Sequence, residues 1–300
     1  MKPDFGGKPF NMVHYLAVKS AAVLNTPDQM ILHYQYEPNG EWFEKARPYL
    51  TLNKIVAPTE IFGNPLLHVA HQADIVRLRA LKETGGIYLD LDTISIKSLE
   101  PLRQYEFVIG KEFKPPIFYT PWDRVKTAIR TVNPSPLWKE QEVYGLCNAV
   151  MMSERNSAFI SLWLNGYHNF RSKGKDEFWV EHSVKLPYEL AGMHPEWLKV
   201  LDPFAFHFPG YDAKGLKRLF RKNLYFPQAY LHHLWETNAW NYLKELTPEL
   251  VKNHDTTYNK IARLYIEGKS GILHKDKKLP IYEKSSIHNS SLYRSSCWML

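Results

Sequence analysis

The sequence predicts an α/β protein: a mostly parallel sheet flanked by helices in a single large domain over residues 1–240, followed by a basic C-terminal extension over 241–300, helical and then irregular. Three observations predict it. Helix-like and strand-like patterns alternate through the first half, the order that a parallel sheet covered by helices requires. At 300 residues, 44% hydrophobic and 23% charged, the chain has ordinary globular composition, which excludes disordered, collagenous and coiled-coil architectures. Only two cysteines, Cys147 and Cys297, are present and far apart, which argues against a disulfide framework or a cysteine metal cluster, so the fold rests on its core.

Each element has a local reason. Apolar residues at Met12, Val13, Leu16, Ala17 and Val23 give Phe10 to Leu24 a helical period, and Pro27 stops it. Met30 to Tyr34 is a strand, Glu41 to Arg47 a short helix ended by Pro48, and Asn53 to Ala57 another strand. Leu67 to Thr84 is a longer helix with a buried stripe at Val69, Ala73, Val76 and Ala80, closed by Gly85-Gly86. Ile87 to Leu91, Thr93 to Ile96 and Phe107 to Ile109 are strands. The stretch Lys111 to Gln141 carries Pro115, Pro116, Pro121, Pro134 and Pro136 and reads as a long loop of the kind that forms lids or binding walls. Beyond it, Asn148 to Met152 is a strand, Ser157 to Phe170 and Glu181 to Ala191 are helices, and Val200-Leu201 and Leu231 to Trp235 are short strands.

The chemistry concentrates in two neighbouring segments. In Gly85-Gly86-Ile87-Tyr88-Leu89-Asp90-Leu91-Asp92-Thr93, residues two apart on a strand share a face, so Asp90 and Asp92 project together from its carboxyl end. In open α/β sheets that end borders the ligand crevice. Two hard carboxylates there suit Mg²⁺ or Mn²⁺, which keep coordination positions open for substrate phosphates. An isolated Asp-x-Asp also caps turns, but the apolar run before this one argues for a site. Asp74 and Arg77, three apart on the preceding helix, share a face directed at the same crevice, where they could hold sugar hydroxyls; the plain alternative is an exposed intrahelical ion pair.

The pattern His71-x-x-Asp74-x-x-Arg77 followed by Gly85-Gly86-Ile87-Tyr88-Leu89-Asp90-Leu91-Asp92-Thr93 resembles the DXD-motif sugar transferases of glycosyltransferase family 32. Phe5-Gly6-Gly7, Cys147-Asn148-Ala149-Val150-Met151, and His233-Leu234-Trp235 with Ala239-Trp240 extend the resemblance over much of residues 5–240. It implies a GT-A fold, Rossmann-like, with a divalent cation (Mn²⁺ or Mg²⁺), a UDP- or GDP-sugar donor, a glycan or lipid-linked acceptor hydroxyl, and retention of anomeric configuration. Carried over by position, Asp74 and Arg77 would bind the donor sugar and Asp90 would contact ribose or sugar and a metal-bound water. Asp92 would ligate the metal, with His233 on the metal or the diphosphate and His232 as its competitor. Asn148 would face donor or acceptor, Tyr88 would stack near the nucleotide unless it is core, and Trp235 and Trp240 would serve equally as packing residues. Where the family has a serine before its late tryptophan this chain has Ala239, which removes that hydroxyl, with the neighbouring amide of Asn238 as the candidate substitute. Family members also open with a nucleobase-supporting strand of the Ile-Pro-x-Ile-Ile-His type, and Met1 falls just before Phe5-Gly6-Gly7, so the sheet is expected to be one strand short. The competing readings are a non-catalytic nucleotide- or sugar-binding relative and an Asp-x-Asp phosphatase, the latter disfavoured because its motif belongs on the first strand of its domain.

The net charge of +7 is local, since Tyr211 to Lys284 holds fourteen Lys and Arg against eight Asp and Glu. Lys214, Lys217, Arg218, Arg221 and Lys222 form either a peripheral membrane-facing patch or a solvated polar face. Interspersed acids and the lack of a recognition motif argue against nucleic acid. With no apolar run long enough to cross a bilayer and no signal-type start, the chain as written reads as cytoplasmic or peripheral to a membrane, or as Golgi-lumenal if an anchor lies upstream.

Overall fold

The computed structural model describes residues 9–113 and 142–266 and the backbone of 296–299. Phe5-Gly6-Gly7 and nearly all of the proline-rich stretch lie outside the described residues. In chain order the helices are α1 (Met12–Asn25), α2 (Glu41–Ala46), α3 (Val69–Thr84), α4 (Ala158–Gly166), α5 (Leu186–Met193), α6 (Pro203–Phe206), α7 (Ala213–Phe220), α8 (Glu236–Leu243), α9 (Pro248–Asn253) and α10 (Thr257–Ile266). The strands are β1 (Gln29–Tyr34), β2 (Thr51–Lys54), β3 (Glu60–Ile61), β4 (Asn64–Pro65), β5 (Gly86–Leu89), β6 (Thr93–Ser95), β7 (Phe107–Phe113), β8 (Val143–Ser153), β9 (Lys199–Leu201), β10 (Leu231–His233) and β11 (Ser296–Met299).

A seven-stranded sheet in the order β2-β1-β11-β5-β8-β7-β9 forms the centre. All its pairings are parallel except those of β8 with β5 and with β7. Because side chains alternate along a strand, each central strand feeds two cores. Leu89, Val108, Val150 and Met152 join the core under α1, α2, α7, α8 and α10, whereas Tyr88, Phe107, Ile109 and Met151 join the core under α3, α4 and α5. This burial on both faces explains the near-continuous apolar runs of β5 and β8. The layers, and the acidic motif emerging from β5, are what the GT-A expectation requires.

Local signals are obeyed at the ends of the key elements. Asn11 caps α1 by accepting from the Val13 and His14 N–H groups. Gly85 ends α3 at φ 69° and Gly86 follows at φ 108°, both in the left-handed range. A Cβ on Gly85 would lie 2.8 Å from the Arg155 nitrogen, so the α3–β5 turn is packed directly on the end of β8.

The structure corrects three expectations. The buried face of α3 is His71, Asp74, Ile75, Arg77, Leu78, Ala80 and Leu81; of the expected stripe only Ala80 is buried, because the polar pair is itself turned inward. The expected boundary at residue 240 does not divide the packing: Tyr258, Ala262 and Tyr265 of α10 share a core with α1, and the tail contributes β11 to the sheet. The end of the tail, expected to be irregular, is strand β11 between β1 and β5, with Cys297 opposite both Met30 and Ile87; the strand expected to be missing ahead of Phe5 falls outside the described residues.

Candidate active site at the carboxyl end of strand β5

Asp90 and Asp92 leave the sheet through a turn. The Asp90 N–H still donates to the Ala149 carbonyl at 2.9 Å, so the ladder with β8 runs one residue past β5. Thr93 Oγ1 then donates to the Asp90 carbonyl at 2.9 Å and closes the bend into β6. Strand alternation is thus not what aligns the two carboxylates; the turn does it.

The turn is clamped by β10. The antiparallel β10–β6 pairing sets His233 opposite Thr93 and His232 opposite Ile94. The Leu234 N–H donates to the Asp92 carbonyl at 2.7 Å, and the Glu236 N–H donates to Asp92 Oδ2 at 2.7 Å. His233 Nε2 lies 3.3 Å from Asp92 Oδ1, and ligand atoms of Asp90, Asp92 and His233 all fall within 4.8 Å of one another. His232 projects to the other side and donates from Nδ1 to the Phe208 carbonyl at 3.0 Å, which settles the competition: His232 is structural and His233 faces the acids.

On the opposite side Arg77 is a hub. Its Nη1 donates to the Asn148 carbonyl at 2.9 Å and to Asn148 Oδ1 at 3.2 Å, and lies 3.1 Å from Asp90 Oδ1. Asn148 Nδ2 in turn donates to Asp74 Oδ1 at 2.7 Å. Asp74 and Arg77 are therefore no exposed ion pair; they are locked to Asn148 and Asp90 in the interior. Of the two readings of Tyr88, core residue and nucleotide-stacking residue, the structure shows the first: it is fully buried, with the Arg77 guanidinium 4.6 Å from its ring centroid and its hydroxyl donating to Asp90 Oδ1, so it orients the acid. Trp235 is buried with its indole N–H on the Pro209 carbonyl, whereas Trp240 is half exposed. Ala239 is core and Asn238 is exposed, so Asn238 does not replace the family hydroxyl.

The two acids differ in electrostatics. Burial works against the Asp92 carboxylate, but the His233 charge and hydrogen bond, with the Glu236 N–H, outweigh it and hold its pKa down at about 2. Asp90 is lifted above its ordinary value by burial, against the pull of Arg77 and with the nearby Asp92 charge adding to the lift. Burial lowers the tendency of His233 to protonate, yet Asp92, Asp90 and Glu112 together raise its pKa above the usual imidazole value. Asp74 is also raised, by burial, against Arg77 and Asn148.

Sequence reasoning missed Glu112 and His207. Glu112 is buried on β7 and pushed up to about 7 by burial, partly offset by His233. Its signal was an acid inside the apolar run Phe107 to Phe113. His207 follows α6 and carries no spacing signal at all, because tertiary folding alone brings it in.

The family described as a glycosyltransferase sugar-binding region containing the DXD motif matches residues 16–108, the segment that carries Asp74, Arg77, Asp90 and Asp92. Glucan organizing enzyme 1 of Cryptococcus neoformans var. grubii is 35% identical over 267 residues, covering 88% of this chain and 67% of that protein. Among solved structures, PaToxG Glycosyltransferase aligns at 16% identity and TM-score 0.39 over 86% of this chain and 84% of its own. Mouse Xyloside xylosyltransferase 1 in its apo form aligns at 16% identity and TM-score 0.39 over 74% of this chain and 92% of its own. An acidic turn held at the end of β5 inside the matched region, and a relative alike over two thirds of its length, place the chain in the DXD-motif glycosyltransferases, the family-32-like sugar transferases.

Proposed function

We propose that this glycosyltransferase takes its sugar from a UDP- or GDP-sugar, uses a divalent cation, Mn²⁺ or Mg²⁺, and delivers the sugar with retention of configuration to a glycan or glycolipid hydroxyl. The observation that carries this is the convergence of Asp90, Asp92 and His233 within 4.8 Å beside the Arg77–Asn148–Asp74 network. The residues fit such a cation: two carboxylate oxygens of the hard type that Mn²⁺ and Mg²⁺ prefer, one held anionic down to about pH 2. Asp92 would hold it directly and Asp90 through water, with His233 Nε2, 3.3 Å from Asp92 Oδ1, orienting that carboxylate or contacting the diphosphate. When bound, the cation neutralises charge developing on the departing diphosphate.

The chain's own residues do the positioning. Arg77 and the Tyr88 hydroxyl fix Asp90 Oδ1, leaving the more open part of that carboxylate, 23% exposed as a side chain, for the donor. Asn148 ties β8 to Asp74 on α3, so the wall facing the sugar is rigid before binding. The name of the relative connects it with glucan, which makes UDP-glucose and glucan oligosaccharides the first pair to try. The exposed Lys214 and Lys217 on α7 support a peripheral membrane contact for a lipid-linked acceptor, to be read by flotation with anionic vesicles.

The test is a nucleotide-sugar panel by thermal shift with Mn²⁺, followed by hydrolysis of each donor that binds. Asp90→Asn and Asp92→Asn are expected to abolish Mn²⁺-dependent hydrolysis; unimpaired hydrolysis in both overturns the proposal.

A further inference from the structure

Beside the acidic turn stands a second group of ligand-type side chains, which shares His233 with the site above and adds Cys147 and His207, which sugar transfer does not use. Cys147 of β8 pairs in register with Gly110 of β7, and His207 follows α6 onto the same spot. Only a glycine leaves room there: a Cβ at position 110 would come within 2.9 Å of the His207 ring carbon Cδ2 and 3.1 Å of its Nε2. Cys147 Sγ, a His207 nitrogen and a His233 nitrogen all lie within 4.8 Å of one another.

These groups are buried and underused. Cys147, His207 and His233 are 6%, 2% and 8% exposed. Neither ring nitrogen of His207 has a hydrogen-bond partner among the described residues, and neither does His233 Nδ1, whereas His233 Nε2 faces Asp92. Buried polar groups almost always find partners, so three unpartnered imidazole nitrogens beside one thiol ask for an occupant. Glu112, 6% exposed, is a buried acid beside the Cys147 thiol, at the edge of this group.

We propose that Cys147, His207 and His233 form a buried site for one zinc-type divalent cation, separate from the cation of the acidic pair. Thiolate and imidazole ligands select a borderline ion such as Zn²⁺ over Mg²⁺ or Mn²⁺. Binding releases the Cys147 thiol proton, and any proton on the nearby Glu112, to solvent; the thiolate ligand and the Glu112 carboxylate beside it then balance the two positive charges of the ion. His233 binds through Nδ1 and donates its Nε2–H to Asp92, the carboxylate–histidine–metal relay that fixes a ligand imidazole. The inner ion would thereby hold His233 against the turn that carries Asp92. The proposal does not rest on the sugar-transfer reading, and its failure would leave that reading untouched.

The test uses full-length protein stripped of metal by a chelator and titrated with Co²⁺. One equivalent is expected to produce a thiolate-to-cobalt charge-transfer band in the near ultraviolet, and zinc is expected to displace it. Cys147→Ser should abolish the band, His207→Gln should weaken cobalt binding, and Cys297→Ser and Asp90→Asn should both leave it in place; circular dichroism checks that each variant is folded. Metal analysis of protein purified without chelator should show one zinc per chain, lowered in either site variant. No charge-transfer band with folded wild-type protein, or a band that survives Cys147→Ser, overturns the proposal.

Discussion

Around Arg77 the buried polar groups are paired with one another, while around His233, on the other side of the same acidic turn, several stand without partners. Arg77 meets Asp90 and both Asn148 oxygens, and Asn148 meets Asp74. Across from it, His207 and the Nδ1 of His233 have none among the described residues. The first side is complete in the chain alone and sets geometry; the second gathers side chains of the kinds that could hold a cation. A buried ionic network is strongly destabilising to break, whereas removing one acid from a cation site costs function more than folding.

That contrast can be broken most forcefully at Arg77. Arg77→Ala strands Asp90, Asp74 and Asn148 without their cation, and a loss of about 3–5 kcal/mol in denaturant unfolding is expected. A loss below about 1 kcal/mol would mean that the network is no hub. Acid titration compares two imidazoles next. His33 is pushed down to about 4 by burial and hydrogen-bonds with Asn53. A lowered imidazole pKa gives stability that is complete above the unfolded value of 6.5 and lost as pH falls through about 4. At 1.36 kcal/mol per unit this contributes on the order of 3 kcal/mol, and His33→Gln should flatten the fall of Tm over that window. His233, raised, has the opposite sign: its stabilisation is present below 6.5 and lost as pH rises through its higher folded value.

Asp92→Asn should leave the fold intact, because the amide oxygen still accepts from the Glu236 N–H, while Mn²⁺-dependent donor hydrolysis falls about 100-fold or more. Equal losses of stability and activity would erase the distinction between the two sides. Tyr88→Phe is the mildest test. It removes one buried hydrogen bond to Asp90 and should cost about 1 kcal/mol in thermal or denaturant unfolding. A larger drop in donor hydrolysis than in stability would show that the orientation of Asp90 matters to turnover.

Much of the first side was legible because its residues are close in sequence: the i, i+3 spacing of Asp74 and Arg77 and the motif around Asp90 need only local periodicity. Even there, spacing gave proximity without direction, and the inward turn of the α3 polar face was missed because a helical wheel counts only apolar residues. Tyr88 stayed undecided between core and nucleotide for a related reason: its strand position allows burial, but only the tertiary position of Arg77 and Asp90 shows what its ring and hydroxyl contact. The second side was legible only at Asp92 and His233. Glu112, Cys147 and His207 come from three separate segments, and no spacing in the sequence announces that β7, β8 and the end of α6 converge.

Strand β11 has a consequence for the order of assembly. It is what joins β2-β1 to β5-β8-β7-β9, so without it the central sheet is two smaller sheets with facing open edges. Position 297 must find positions 30 and 87, pairings of very long sequence separation, and such contacts form slowly. The helices and the antiparallel hairpin-like half can fold early, but the platform beneath the acidic turn closes only when this distant segment docks. Catalytic competence is therefore expected to be among the last properties the folding chain acquires.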